Sequence, residues 1–179
     1  MKFIFQIIGI VGVGYCLIGA ALYFFQEKML FFPMGQPFGN CARMDRYDAR
    51  SVEKDGLRYY LKESETARAW IVVFHGNAGN ACDRTYFFDL LSGVGAHLVL
   101  FEYPGYGGDT GKPGERVMKE KALAVVKQIK EGEDGQLPIF LLGESLGTGV
   151  ATWVSTQTDV AGLVLISAYS SIANVAQHH

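Results

Sequence analysis

An α/β fold, a mostly parallel sheet with flanking helices behind one N-terminal transmembrane helix, is predicted by three observations. Apolar runs alternate with amphipathic stretches from residue 57 to residue 166, the pattern of buried parallel strands covered by helices. The run Pro138-Ile139-Phe140-Leu141-Leu142 leads into Gly143-Glu144-Ser145-Leu146-Gly147, and that into a helix-compatible segment, Thr148 to Thr156. Residues 3–25 carry no charged side chain, and Gln6 is their only strongly polar one.

The elements follow in order. Phe3 to Phe25 span about 35 Å as a helix, sufficient for a hydrocarbon core with some tilt. Gly9, Gly12, Gly14 and Gly19 suit a membrane helix. A cleaved signal peptide, processed near Gly19-Ala20-Ala21, is the alternative; its apolar region is usually shorter, and here Leu22-Tyr23-Phe24-Phe25 continue past the site. We therefore expect an anchor over residues 1–28, a juxtamembrane linker over 29–46 and a globular domain over 47–179. Lys2 lies on one side of the span and Lys28, Arg43 and Arg46 on the other, which leaves the orientation open. In the domain, Tyr47 to Val52 and Leu57 to Leu61 read as a hairpin around Lys54-Asp55-Gly56. A buried strand ends at Phe74, and a helix runs from about Asn80 to Leu91. A strand follows over Ala96 to Phe101, then a helix over Pro113 to Lys130 with apolar Val117, Leu123, Val126 and Ile129, and finally a strand over Gly162 to Ile166.

Composition narrows the function. With 49% apolar and 19% charged residues, the sequence builds a core and is not disordered. A net charge of −2 gives no basic footprint, so nucleic acid is not an expected partner. No His/Cys/carboxylate cluster has metal-ligand spacing, and no metal or cofactor is expected. The loop Gly105 to Lys112 is not a P-loop: Tyr106 stands where a glycine is required and Pro113 where Ser or Thr would bind magnesium. Of three cysteines, Cys16 lies in the apolar span; Cys41 and Cys82 pair only if the domain faces an oxidising space.

The pattern Gly143-x-Ser145-x-Gly147 carries little weight alone, but strand, glycine-flanked turn and helix are what a nucleophile elbow needs. The glycines permit a strained turn and close backbone packing. Ser145 is then the candidate nucleophile. A plain strand-to-helix turn with an ordinary serine is the bland reading. The loop His75-Gly76-Asn77-Ala78-Gly79-Asn80 follows the strand ending at Phe74. It and the elbow would supply two oxyanion donors, the backbone N–H groups of Asn77 and Leu146. His75 reads as a positioned loop residue rather than a general base, and Asn80 as a helix cap. His75, Gly76, Glu102 and Tyr103 are candidate wall residues. Glu102 either accepts hydrogen bonds from the 105–112 loop or is a satisfied strand-end carboxylate.

Those three motifs, His75 to Asn80, Glu102-Tyr103-Pro104-Gly105-Tyr106-Gly107 and Gly143 to Gly147, resemble the BEM46-like membrane-anchored serine hydrolases. That group is related to the ABHD13 type and to the serine aminopeptidase (S33) hydrolases. Gly111-Lys112-Pro113-Gly114-Glu115 and Ser167-Ala168-Tyr169-Ser170-Ser171-Ile172 are also similar to it. The resemblance runs from about Phe24 to the last residue and implies the α/β-hydrolase fold with a small acyl or peptide substrate. Two positions depart from the group: Lys121-Ala122 stands where Asp-Ala is usual, and Ala173-Asn174-Val175-Ala176 lacks an aspartate before Val-Ala.

A serine triad in this fold takes an acid and a histidine from loops after the nucleophile. Downstream of Ser145 the acidic residue is Asp159 and the histidines are His178 and His179. Asp159 falls in a connection that returns to the amino ends of the strands, away from Ser145. The two histidines follow the strand Gly162 to Ile166. The sequence therefore resembles the front portion, incomplete at its C-terminal sheet edge, of a longer hydrolase. Two functions stay open: a serine hydrolase that takes its Asp and His from further chain, or a non-catalytic hydrolase-like binding domain. Oligomeric state is not indicated. We expect the isolated 179-residue chain to self-associate through the apolar strand Gly162 to Ile166 in light scattering. We also expect it to hydrolyse short p-nitrophenyl esters no faster than its Ser145→Ala variant.

Overall fold

The computed structural model describes residues 2–171 and 174, and its chain divides into two units between Phe32 and Pro33. The first is a single helix, α1 (Lys2–Leu30), whose 29 residues extend about 44 Å. Its most apolar window has a mean hydropathy of 2.2 and no buried residue, so it is long and apolar enough to cross a membrane. It outruns the expected end at residue 28 because Met29 and Leu30 continue a helix readily and no proline intervenes before Pro33.

The second unit is built on a six-stranded sheet in the order β1-β2-β4-β3-β5-β6. The strands are β1 (Arg50–Lys54), β2 (Leu57–Lys62), β3 (Trp70–Phe74), β4 (His97–Glu102), β5 (Ile139–Glu144) and β6 (Gly162–Ile166). β1, β2 and β4 pair antiparallel; β4, β3, β5 and β6 pair parallel. Asp55 (φ 53°) and Gly56 (φ 68°) both take the left-handed conformation of a two-residue hairpin turn that matches strand twist. The first strand starts at Arg50 rather than Tyr47, since Asp45–Tyr47 form a 3-10 turn that ends on Asp48 at φ 52°. β3 and β4 are buried along their whole length, as expected of central strands covered on both faces.

Among the described residues three helices cover the sheet: α2 (Tyr86–Leu90), α3 (Glu115–Lys130) and α4 (Leu146–Gln157). The single helix expected over residues 80–91 is instead a 3-10 turn, Ala81–Arg84, followed by the short α2. That first turn is tied by a capping box in which Asn80 Oδ1 accepts from Asp83 N and Asp83 Oδ2 from Asn80 N. It is also tied by Ala81 N donating to Glu102 and by a Cys41–Cys82 disulfide, and it takes the tighter form. α3 starts at Glu115, two residues late, because Gly114 is extended and serves as its cap. Its buried stripe is Met118, Ala122, Val125, Val126 and Ile129, spaced i, i+4, i+7, i+8, i+11. Val117 and Leu123 sit at its half-buried margin.

Residues 33–46, whose prolines and glycines read as a linker, are packed onto the sheet. Cys41 and Met44 join the buried core with Tyr60, Phe87 and Phe88, and the Phe38 ring lies 4.8 Å from that of Tyr60. The disulfide holds Cys41 and Cys82 with Cα atoms 5.8 Å apart. At the other end of the sheet, Leu163, Val164, Leu165 and Ile166 of β6 are all exposed.

Candidate active site

The site lies where β3 and β5, adjacent and parallel, end. β5 gives way at Ser145 to α4, and Ser145 occupies φ 49°, ψ −115°, a region few side-chain-bearing residues visit. Its N–H donates to Ile166 O at 2.8 Å, and its carbonyl accepts from Thr148 N at 2.9 Å and Thr148 Oγ1 at 2.6 Å. The backbone is thus held on both sides while the residue itself is exposed. The flanking glycines are sterically required. A Cβ on Gly147 would lie 2.0 Å from Phe74 O, and one on Gly143 2.5 Å from Gly147 O. Helix α4 therefore starts in direct backbone contact with the end of β3. Leu146 is its first residue, where an N–H has no intrahelical acceptor.

The loop 75–80 leaves the end of β3 and runs beside this turn; a Cβ on Gly76 would sit 3.5 Å from Ser145 Cβ. Asn77 is half-buried, and its Oδ1 accepts from Tyr106 Oη at 2.9 Å. His75 is buried. Its Nδ1 meets Gly76 O at 2.7 Å and its Nε2 faces Glu102 Oε1 at 3.3 Å, a contact that attracts only with a proton between the two atoms. The ring packs between Tyr103 and Tyr106, with centroids at 4.2 and 5.2 Å. Tyr103 Oη donates to His75 O at 3.1 Å. Burial, then the neighbouring Tyr106, Tyr169 and Glu102, push the Tyr103 hydroxyl well above its ordinary range, so it remains a donor.

Glu102 settles between the two expectations for it. Its carboxylate accepts from Ala81 N at 3.3 Å and faces His75, rather than bonding the glycine loop. That loop walls it instead, since a Cβ on Gly107 would fall 2.7 Å from Oε2. The loop is fixed by Asp109, which accepts from Gly105 N and Gly111 N and pairs with Arg58 at 3.4 Å. Burial raises the Asp109 pKa, but those N–H donors and the guanidinium more than offset it and hold it below the usual carboxylate value.

Sequence reasoning missed Arg84. Its Nε bonds Glu144 Oε2 at 2.6 Å and its guanidinium donates to Ala78 O at 2.9 Å, tying the 75–80 loop to the residue before Ser145. Nothing in the local sequence signals this, because the partners are 60 and 6 positions away. Asp159 lies between α4 and β6, at the amino ends of the parallel strands and opposite Ser145. His97 begins β4 at that same end, accepting from Ser64 N and facing Asp134 at 3.3 Å. His178 and His179 lie outside the described residues. Among the described residues no group of His, Cys, Asp and Glu is arranged to hold a metal ion.

This strand order, with a strained serine turn after the fifth strand, defines an α/β-hydrolase. Residues 65–178 match the family described as serine aminopeptidase, S33, and the chain belongs to that family of hydrolases. Among curated relatives, an uncharacterized protein of Mycobacterium tuberculosis is 31% identical over 161 residues, covering 86% of this chain and 57% of that protein. The lysophosphatidylserine lipase ABHD12 of Mus musculus is 38% identical over 128 residues, 68% of this chain and 32% of the lipase. The chain thus spans little more than half the length of the first and about a third of the second. Among solved structures, a thermostable carboxyl esterase from Bacillus coagulans shares the fold at a TM-score of 0.57 and 18% identity, covering 72% of this chain and 46% of the esterase. The monoacylglycerol lipase of Paleococcus ferrophilus matches at 0.51 and 26%, covering 68% and 50%.

The contact between Gly147 and Phe74 O sets an expectation. Gly147→Ala destabilises the protein by roughly 2–3 kcal/mol, since neither backbone can retreat. Gly93→Ala, with nothing within 4 Å, stays within about 0.5 kcal/mol. Urea denaturation followed by tryptophan fluorescence compares the two.

Proposed function

We propose that this chain carries the nucleophile half of a membrane-anchored serine hydrolase that cleaves an ester, thioester or amide through an acyl-enzyme at Ser145. The observation that carries this reading is the Ser145 backbone, strained at φ 49° and exposed on a turn whose glycines have no room for a side chain. Ser145 Oγ bonds to the substrate carbonyl carbon while its proton passes to a general base. The oxyanion is received by the N–H groups of Asn77 and Leu146. The leaving group departs protonated, and water then releases the acyl group by the same route. His75 positions the loop and does not act as base, being buried against Gly76 O and Glu102. His97 is at the far end of the sheet. The base and its carboxylate partner accordingly come from residues beyond those described.

The lysophosphatidylserine lipases among the relatives and the long apolar α1 favour an acyl lipid ester reached from a bilayer. The buried Cys41–Cys82 disulfide favours a domain on the oxidising side of that membrane.

A fluorophosphonate probe applied to the longer hydrolase should label Ser145, and Ser145→Ala should abolish labelling without altering the circular dichroism spectrum. Undiminished labelling of the variant would falsify the nucleophile assignment. The chain should also stay in the membrane fraction through high salt and alkaline carbonate, and deletion of residues 1–30 should release it. A soluble product starting at Leu22 would instead identify α1 as a cleaved signal.

A further inference from the structure

The oxyanion loop 75–80 is bonded by Tyr103, Tyr106 and Arg84. It is also met by a segment that the proposed reaction does not use, residues 33–44. Pro33 forms a parallel bridge with Gly79. Asn80 Nδ2 donates to Gln36 O at 2.7 Å, and Gly35, at φ 103°, lies so close to that amide that a Cβ would sit 2.7 Å from Nδ2. Phe38 N donates to Gly107 O at 2.7 Å, which carries the same segment onto the second site loop. The segment then ends in a covalent bond: Cys41 joins Cys82, two residues past the loop, and Arg43 pairs with Asp83 at 2.7 Å.

We propose that residues 33–44 are a brace that holds the oxyanion loop in its working conformation, with the Cys41–Cys82 disulfide as its latch. Cys41, Cys82 and Asn80 are thereby positioning residues of the hydrolase site. The inference rests on the serine hydrolase reading for its catalytic meaning and on the contacts above for its structural content. An oxyanion donor acts through placement, and a loop of glycines and small residues does not hold that placement unaided. Two features mark the segment as a brace rather than a passive cover. Its contacts fall on the 75–80 loop beside Ser145 and on the 105–112 loop that encloses Glu102, and they come in sequence from one short stretch pinned at its far end.

The test is amide hydrogen exchange on the full chain in detergent micelles. Four samples are compared: oxidised protein, protein treated with dithiothreitol, Cys41→Ala/Cys82→Ala, and Asn80→Ser. Dithiothreitol takes up the latch by exchange: it leaves as its cyclic disulfide, and Cys41 and Cys82 each gain one electron and one proton as thiols. Serine keeps the cap on Asp83 N but is too short to reach Gln36 O, so this variant separates the brace from the helix cap. The expected result in all three perturbed samples is acceleration of exchange at residues 76–80 that exceeds the acceleration in α3 by roughly tenfold. Unchanged exchange at 76–80 would overturn the brace. So would equal acceleration in α3, which would reduce the disulfide to a general stabiliser. In the longer hydrolase the same variants should lower kcat about tenfold with KM little changed, because the lost contacts serve the transition state. If Ser145 fails to react with fluorophosphonate while the exchange pattern appears as expected, the hydrolase reading falls and the brace stands.

Discussion

Everything at the site depends on how closely two backbones approach at the carboxyl end of the sheet. Phe74 O, the last carbonyl of β3, lies where a Cβ of Gly147 would have to go, and Gly147 O in turn lies where a Cβ of Gly143 would. That contact fixes the start of α4 against the exit of β3, so the serine turn and the first residues of the 75–80 loop are set side by side by backbone packing. Side chains adjust over several ångströms; packed backbones do not. The strain at Ser145 is sustained because its amide and carbonyl are both bonded, to Ile166 O and to Thr148. The geometry is over-determined by its surroundings, which is how an unfavourable backbone conformation persists in a folded protein.

Beneath that contact lies a polar layer with few alternatives. His75 and Glu102 are buried together, enclosed by Tyr103 and Tyr106, and each hydroxyl of that tyrosine pair bonds the 75–80 loop. A buried imidazole facing a carboxylate is costly when either partner is lost, because the survivor keeps its burial without its neighbour. The layer therefore specifies the loop's position more than it adds to stability. Arg84 complements it from the side, joining the loop to Glu144 with most of its guanidinium shielded from solvent.

Much of this was legible from the residues. Apolar runs located β3 and β5 closely, because strands buried on both faces leave an uninterrupted signal, and the exposed β6 carries the same kind of run. The strand-to-helix turn at Ser145 was legible because its two glycines answer a steric demand that few other arrangements make. Asn80 as a cap was legible from its place before a helical stretch. What failed did so for want of long-range information. Residues 33–46 have the prolines and glycines of a linker, and only the folded chain shows those residues bridging Gly79, meeting Gly107 and closing on Cys82. The break after Arg84 was hidden since local propensity favours one helix, whereas ties to Glu102 and Cys41 tighten its first turn. The partners of Arg84 and Glu102 were out of reach for the same reason: an ion pair spanning 60 residues leaves no trace in local periodicity.

The position of the disulfide along the chain bears on the order in which the molecule can be assembled. Cys41 and Cys82 enclose β1, β2 and β3, while both sheet neighbours of β3 lie later in the sequence. During synthesis from the N-terminus, the two thiols are present together before β4, β5 and the serine turn have emerged. The exit of β3 can then be tethered first, and β4 and β5 are added to a strand already held at that end. The serine turn and the 75–80 loop are thus brought together by late, parallel strand pairing, the slow and non-local kind, onto a half that emerges first.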